Sequence, residues 1–118
     1  MKQFTVRQIG TMEMDKDGMY VKLLPEYIPA LKSLEGFGHA DILWWFDGCD
    51  DEENTRVLEA ESPYKQGPDT MGIFATRSPQ RPNPIALSVV QILYIDHEAG
   101  VIYIAYADAR QGSPVLDL

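Results

Sequence analysis

The chain has 118 residues, 45% hydrophobic and 24% charged, the composition and size of one ordinary globular domain spanning residues 1–118. Its net charge of −8 at pH 7 is the wrong sign for gripping nucleic acid through the phosphate backbone alone, and a single cysteine, Cys49, excludes an intrachain disulfide. No apolar run approaches the ~20 residues of a membrane span, and the N-terminal MKQFTVRQIG lacks the apolar stretch of a signal peptide, so a cytoplasmic protein without a membrane partner is expected.

Along the chain the pattern is one of short strands. Phe4 to Ile9 alternates imperfectly and stops at Gly10. DKDG at 15–18 is a turn sequence, so Met19 to Leu23 is expected to complete a hairpin. Between Leu24 and Glu35, residues Leu24, Tyr27, Ile28, Leu31 and Leu34 fall at helical spacing. Pro29 can open that helix, and Gly36 is placed to cap it. HADILWWF, His39 to Phe46, reads as a strand buried on much of both faces. Short strands follow at Thr55 to Ala60 and Met71 to Ala75. Ile85 to Ile95 is the longest, and after the turn DHEAG, Val101 to Tyr106 returns as its hairpin partner. Seven strands and one short helix predict a mainly β protein, an antiparallel sheet that closes into a barrel or splits into two layers.

Three segments bear chemistry. In ATRSPQRPNPIALS, residues 75–88, Pro79, Pro82 and Pro84 exclude a strand and fix the backbone around Ser78, Arg81 and Asn83. Such a loop loses little entropy on binding, and Arg77 and Arg81 offer forked donors to a carboxylate or phosphate. The bland alternative is a rigid crossover whose arginines pair with this chain's own acids. ADARQGSPVLD, residues 107–117, is a second polar loop carrying Asp108, Arg110, Gln111, Ser113 and Asp117, with Val115 and Leu116 expected to dock on the core. His39 opens an apolar strand, where a hydrogen-bonded structural histidine is the commoner outcome. DGCDDEE at 47–53 is a solvated acidic loop; it lacks calcium-loop spacing, and two histidines with one cysteine make no zinc set, so no metal is expected.

GIFATRSPQRPNPIALSVV, Gly72 to Val90, closely resembles the signature of the TrmO family, also called TsaA-like or YaeB-like. LLPEYIPALKSLEGFGHADILWWF, Leu23 to Phe46, and DARQGSPVLDL, Asp108 to Leu118, resemble two further family segments. Members are S-adenosylmethionine-dependent tRNA N6-adenosine methyltransferases. The resemblance implies a single-sheeted, seven-stranded antiparallel barrel and a homodimer with the cofactor near the subunit interface. It implies that Arg77, Ser78, Pro79, Arg81, Asn83 and Leu87 of the central motif bind cofactor, together with Asp108, Val115, Leu116 and Asp117 of the closing one.

On this view Arg77 or Arg81 suits the cofactor carboxylate, and Asp108 or Asp117 its ammonium or a ribose hydroxyl. Methyl transfer from an activated sulfonium needs alignment more than a strong base, and Asp108 and His39 are the candidates for an aligning acceptor of the amino proton. The expected acceptor is N6 of a modified adenosine beside the tRNA anticodon. The charge of −8 keeps a small-molecule or protein acceptor open. Gln111, standing where the family usually has Asp, keeps a non-enzymatic S-adenosylmethionine-binding module open.

Overall fold

Asp15–Gly18 closes a hairpin as the sequence leads one to expect. β1 (Gly10–Asp15) pairs antiparallel with β2 (Gly18–Leu23), joined by Lys16 and Asp17 and turned by Gly18 at φ +128°. Alternation sets the faces: Met12, Met19, Val21 and Leu23 are buried. The strand expected at 4–9 does not form. Ile9 is tied in by its backbone, donating to Val115 O at 2.8 Å and accepting from Leu24 N at 2.8 Å, and Gln8 Nε2 donates to Gly10 O at 3.0 Å. Pairing starts instead at Gly10, where a Cβ would stand 2.4 Å from Lys22 O, so glycine is what lets the two backbones approach.

The computed structural model describes residues 1–62 and 64–118. They form two compact units, one of residues 1–45 with 87–118 and one of residues 46–86. The first unit is built on a closed antiparallel barrel. Its other strands are β3 (His39–Trp45), β6 (Ile85–Asp96), β7 (Val101–Ile104) and β8 (Pro114–Asp117), in the order β1-β2-β7-β6-β3-β8. Closure settles the choice between barrel and sandwich and leaves no edge in this sheet.

The expected seven barrel strands are corrected to six. The regions expected at 55–60 and 71–75 contribute instead a separate two-stranded sheet in the second unit, β4 (Glu59–Glu61) with β5 (Thr70–Gly72). The closing segment, read as loop, supplies β8. It fills the gap between β1 and β3, with Val115 opposite both Gly10 and Trp44 and fully buried. Only Val115 of that short polar stretch faces the core, too little for a period-2 pattern to register.

β3 alternates rather than burying both faces: Ile42 and Trp44 point inward, and the Trp44 indole donates to Ser88 Oγ at 2.9 Å. Inside the barrel Met12, Val21, Ile42, Val90, Ile102, Ile104 and Val115 are almost wholly excluded from solvent. On β2, β7 and β6, Tyr20, Tyr103 and Tyr94 pack across strands with ring centroids 5.4 and 6.0 Å apart.

The single helix expected over 24–35 is two 3-10 segments, Pro25–Leu31 and Leu34–Gly36. Pro25 opens the first, and Pro29, inside it, has no N–H to give, which interrupts α-helical bonding. Leu31 still reaches the core. One α-turn that the sequence did not suggest, α1 (Glu52–Thr55), lies in the acidic stretch, with Thr55 N donating to Asp51 O at 3.1 Å. Among the described residues no helix is long and apolar enough to cross a membrane.

Candidate functional site

In the second unit, Gly72 ends β5 and a 3-10 turn, Ile73–Ala75, leads into the Pro-rich loop. The loop is braced by its own atoms. Thr76 Oγ1 donates to Ile73 O at 2.9 Å and accepts from Ser78 N at 3.2 Å. Ile85 N donates to Asn83 O at 2.7 Å, and Phe46 N to Pro84 O at 2.8 Å. Pro79 and Asn83 are exposed and Ser78 is half-buried.

The two arginines divide the work. Arg81, only 7% exposed, turns into the loop and donates to Thr76 O at 2.9 Å and Ser78 O at 3.4 Å. Arg77 is exposed and donates to Ile85 O. Among the described residues neither forms an ion pair with a carboxylate, in a chain with 18 acids. Among the described residues, then, the arginines are not taken up by the chain's own acids. Burial pushes the pKa of Arg81 down, and the nearby Arg77 charge pushes it further. Two like charges with no counter-ion are an arrangement that an anion relieves.

In the first unit, β7 ends at Ile104, earlier than expected, and residues 105–109 run on beside the β1–β2 turn. Together they line a cleft of about 360 Å³. Met14, Asp15, Lys16, Gly18 and Met19 come from the hairpin; Tyr106 and Asp108 come from the other side. Ala107 N donates to Met19 Sδ at 3.4 Å, which fixes one wall. The Tyr106 ring is 67% exposed. The side chains of Asp108 and Lys16 form no hydrogen bond or ion pair among the described residues, so both are uncommitted. Its lining combines apolar and sulfur-bearing walls with three charged side chains, Asp15, Lys16 and Asp108.

The remaining candidates of this unit are spread along strands. Leu87 is exposed on β6, and Leu116 is half-buried on β8. Asp117 is exposed opposite Leu43, with its Oδ1 accepting from Leu118 N at 2.9 Å. Gly112 N donates to Met12 O at 2.6 Å, and Ser113 Oγ to Arg110 O at 2.8 Å, holding the turn before β8. His39, the first residue of β3, is exposed. The other histidine, His97, pairs through Nε2 with Glu35 Oε2 at 2.9 Å, and no sequence pattern marked it. Sequence reasoning also missed the hairpin wall of the cleft, because DKDG reads fully as a turn and needs no second role.

The tRNA-methyltransferase O N-terminal domain family matches residues 5–118. A Pyrococcus horikoshii protein named "Probable S-adenosyl-L-methionine-binding protein" is 31% identical over 98% of this chain and 80% of its own length. An S-adenosyl-L-methionine-binding protein of Archaeoglobus fulgidus is 34% identical over 83% of this chain and 65% of its own. Two crystal structures of TrmO from Pseudomonas aeruginosa superpose with TM-scores of 0.75 and 0.71 at 27% and 26% identity, each over 98% of this chain. This chain spans about half, 54%, of the length of those TrmO chains. Matched from residue 5 to its last residue, and folded on the same barrel, the chain belongs to the TrmO N-terminal domain family.

Proposed function

We propose that the protein is an S-adenosylmethionine-dependent methyltransferase, acting on N6 of a modified adenosine beside the anticodon of a tRNA. The observation that carries this is the cleft in which an uncommitted Asp108 stands among Met14, Met19 and Tyr106. The donor set suits the cofactor. S-adenosylmethionine presents cationic and heteroaromatic groups, and the cleft offers carboxylates, an aromatic face and polarisable sulfur. When bound, it supplies a methyl group already activated on a sulfonium.

The protein's part is then to hold and align. Asp108 accepts a hydrogen bond from the amino group that receives the methyl, orienting its lone pair and taking its proton as transfer proceeds. Tyr106 and the methionines exclude water. Arg77, exposed and without an acidic partner among the described residues, supplies an anion-binding element suited to a phosphate or a carboxylate, and the buried Arg81 braces the loop that presents it. Ser78, Pro79, Asn83, Leu87, Val115, Leu116 and Asp117 keep the cofactor-binding roles that the family motifs give them, with His39 the second candidate for the proton acceptor. The functional assembly is a homodimer, supported by Leu87, Val89 and Leu93, apolar side chains exposed on one face of β6 with Gln91 between the last two.

A second reading, a small-molecule or protein acceptor in place of tRNA, draws on the charge of −8. Incubation with methyl-labelled S-adenosylmethionine and tRNA carrying the modified adenosine decides between them. Label recovered on N6 of that nucleoside is the expected result. Cofactor binding without transfer to any tRNA would move the acceptor to the small-molecule or protein class.

A further inference from the structure

Four strands of the barrel set four side chains side by side on its outer surface. Glu13 of β1 lies opposite Tyr20 of β2, Tyr20 opposite Tyr103 of β7, and Tyr103 opposite Tyr94 of β6. Residues directly opposite in a sheet share a face. The adjacent Met12, Val21, Ile102 and Ile104 are core, so the row points outward. Tyr94 is 62% exposed, and Tyr20 and Tyr103 are half-buried. We infer that this row is a docking surface for an extended, arginine-bearing segment of a partner protein. None of the three tyrosines lines the Asp108 cleft, so the inference stands independently of the methyl-donor reading.

Rings and charges on this face both favour a cation. The Tyr20 and Tyr103 rings lie 5.4 Å apart at 48°, and the Tyr94 and Tyr103 rings 6.0 Å apart at 33°. They form a continuous aromatic strip across three strands, and each ring face carries negative potential. Two positions along the strands, on the same face, stand Asp15 next to Glu13, Asp96 next to Tyr94 and Lys22 next to Tyr20. Glu13, Asp15 and Asp96 thus outnumber the single ammonium of Lys22, and among the described residues none of them forms an ion pair. Tyr20 reports the local field: its phenol pKa is pushed up by desolvation first, and then by the Asp15 and Glu13 charges. Two of the carboxylates are held in place. Glu13 Oε1 accepts from Thr11 Oγ1 at 2.9 Å, and Asp96 Oδ1 from Ala99 N at 3.1 Å.

A guanidinium fits this surface better than an ammonium. It stacks flat on an aromatic ring while its edge donates to a carboxylate, and it is less strongly hydrated. The ring spacing is close to the roughly 6.5–7 Å between alternate side chains of an extended chain, which is why the segment is extended and carries its cations at alternate positions. The same carboxylates repel a phosphate backbone, which disfavours a single-stranded nucleic acid stacking its bases on the rings.

Fluorescence anisotropy of the full chain with a fluorescein-labelled peptide of alternating arginine and serine tests this, beside lysine–serine and glutamate–serine peptides and a labelled oligouridylate. Wild type should bind the arginine peptide, the lysine peptide about threefold more weakly, and neither of the other two. Tyr94→Ala should weaken the arginine peptide about threefold to fivefold, and Tyr94→Phe, which keeps the ring, less than about twofold. Glu13→Gln should weaken it about twofold to fourfold. Replacing Glu52 and Glu53 of α1 together by glutamine should change it less than the single Glu13→Gln does. Far-UV circular dichroism and thermal midpoints check folding, and Glu13→Gln carries the test if Tyr94→Ala fails to fold. Wild type that binds no arginine peptide at millimolar concentration would overturn the inference. So would Tyr94→Ala binding like wild type, or an equal loss in the α1 variant, since binding would then follow overall charge. Oligouridylate binding that Tyr94→Ala abolishes would overturn it in favour of nucleic acid. A shift of Tyr94→Ala from dimer to monomer in sedimentation would overturn it in favour of a second copy of the chain.

Discussion

Arg81 and Arg77 sit four positions apart and differ in what surrounds them. Arg81 is buried and bonded to two carbonyls of its own loop, whereas Arg77 is exposed with one. Arg81→Ala removes charge-assisted bonds from the interior of the loop and leaves Thr76 O and Ser78 O short of a donor. It should cost about 1.5–3 kcal/mol of stability, read as a lower urea midpoint at unchanged slope. Arg77→Ala should cost less than about 1 kcal/mol, because water replaces its bond. A midpoint as high for Arg81→Ala as for wild type would show that the loop does not depend on that side chain. The sequence marked both arginines as candidate ligands; which of them is spent on the loop depends on burial, which spacing along a Pro-rich segment does not encode.

At the scale of elements, the β6–β7 hairpin is locked to the first 3-10 segment through one glycine. Gly100 adopts φ +72°, accepts from Leu23 N at 2.9 Å, and has Ile28 Cγ1 2.5 Å from where a Cβ would be. Gly100→Ala meets both a left-handed backbone and a packed side chain. A loss of about 2–4 kcal/mol is expected by chemical denaturation, and Ile28→Ala in the same background should remove the clash while the backbone cost persists. The same hairpin turn places His97 against Glu35. The Glu35 carboxyl is held below its ordinary pKa of 4.5 by a hydrogen bond from its own backbone N–H, against a smaller opposing desolvation, and then by the His97 hydrogen bond and charge. A folded pKa below the unfolded one means that the contribution is present above the unfolded value and is lost as pH falls through the folded value. Glu35→Gln should therefore flatten the acid limb of a stability profile below about pH 4.5. An acid limb identical to wild type would assign acid sensitivity to other carboxylates. The expected helix at 24–35 was half legible: the apolar spacing found Leu31, but Pro29 prevents the regular bonding that spacing alone suggests.

For the whole molecule, Val89, 67% exposed, lies between Leu87 and Gln91 on the outward face of a strand whose opposite face is core. The proposed homodimer predicts sedimentation at twice the chain mass, and Val89→Glu should shift it to the monomer without lowering the thermal midpoint of the barrel. Sedimentation of wild type as a monomer at micromolar concentration would reject that assembly. The sequence by itself determined the mainly β class, the DKDG hairpin, the long β6 strand with its β7 partner, and the family, because alternation, turn chemistry and motif are local properties. Tertiary structure decided the number of barrel strands, the recruitment of Pro114–Asp117 as β8, the inward turn of Arg81, and the cleft joining Asp108 to Lys16. Each of these joins residues distant in the chain or depends on burial, and a closed sheet fixes such pairings only once every strand has found both its neighbours.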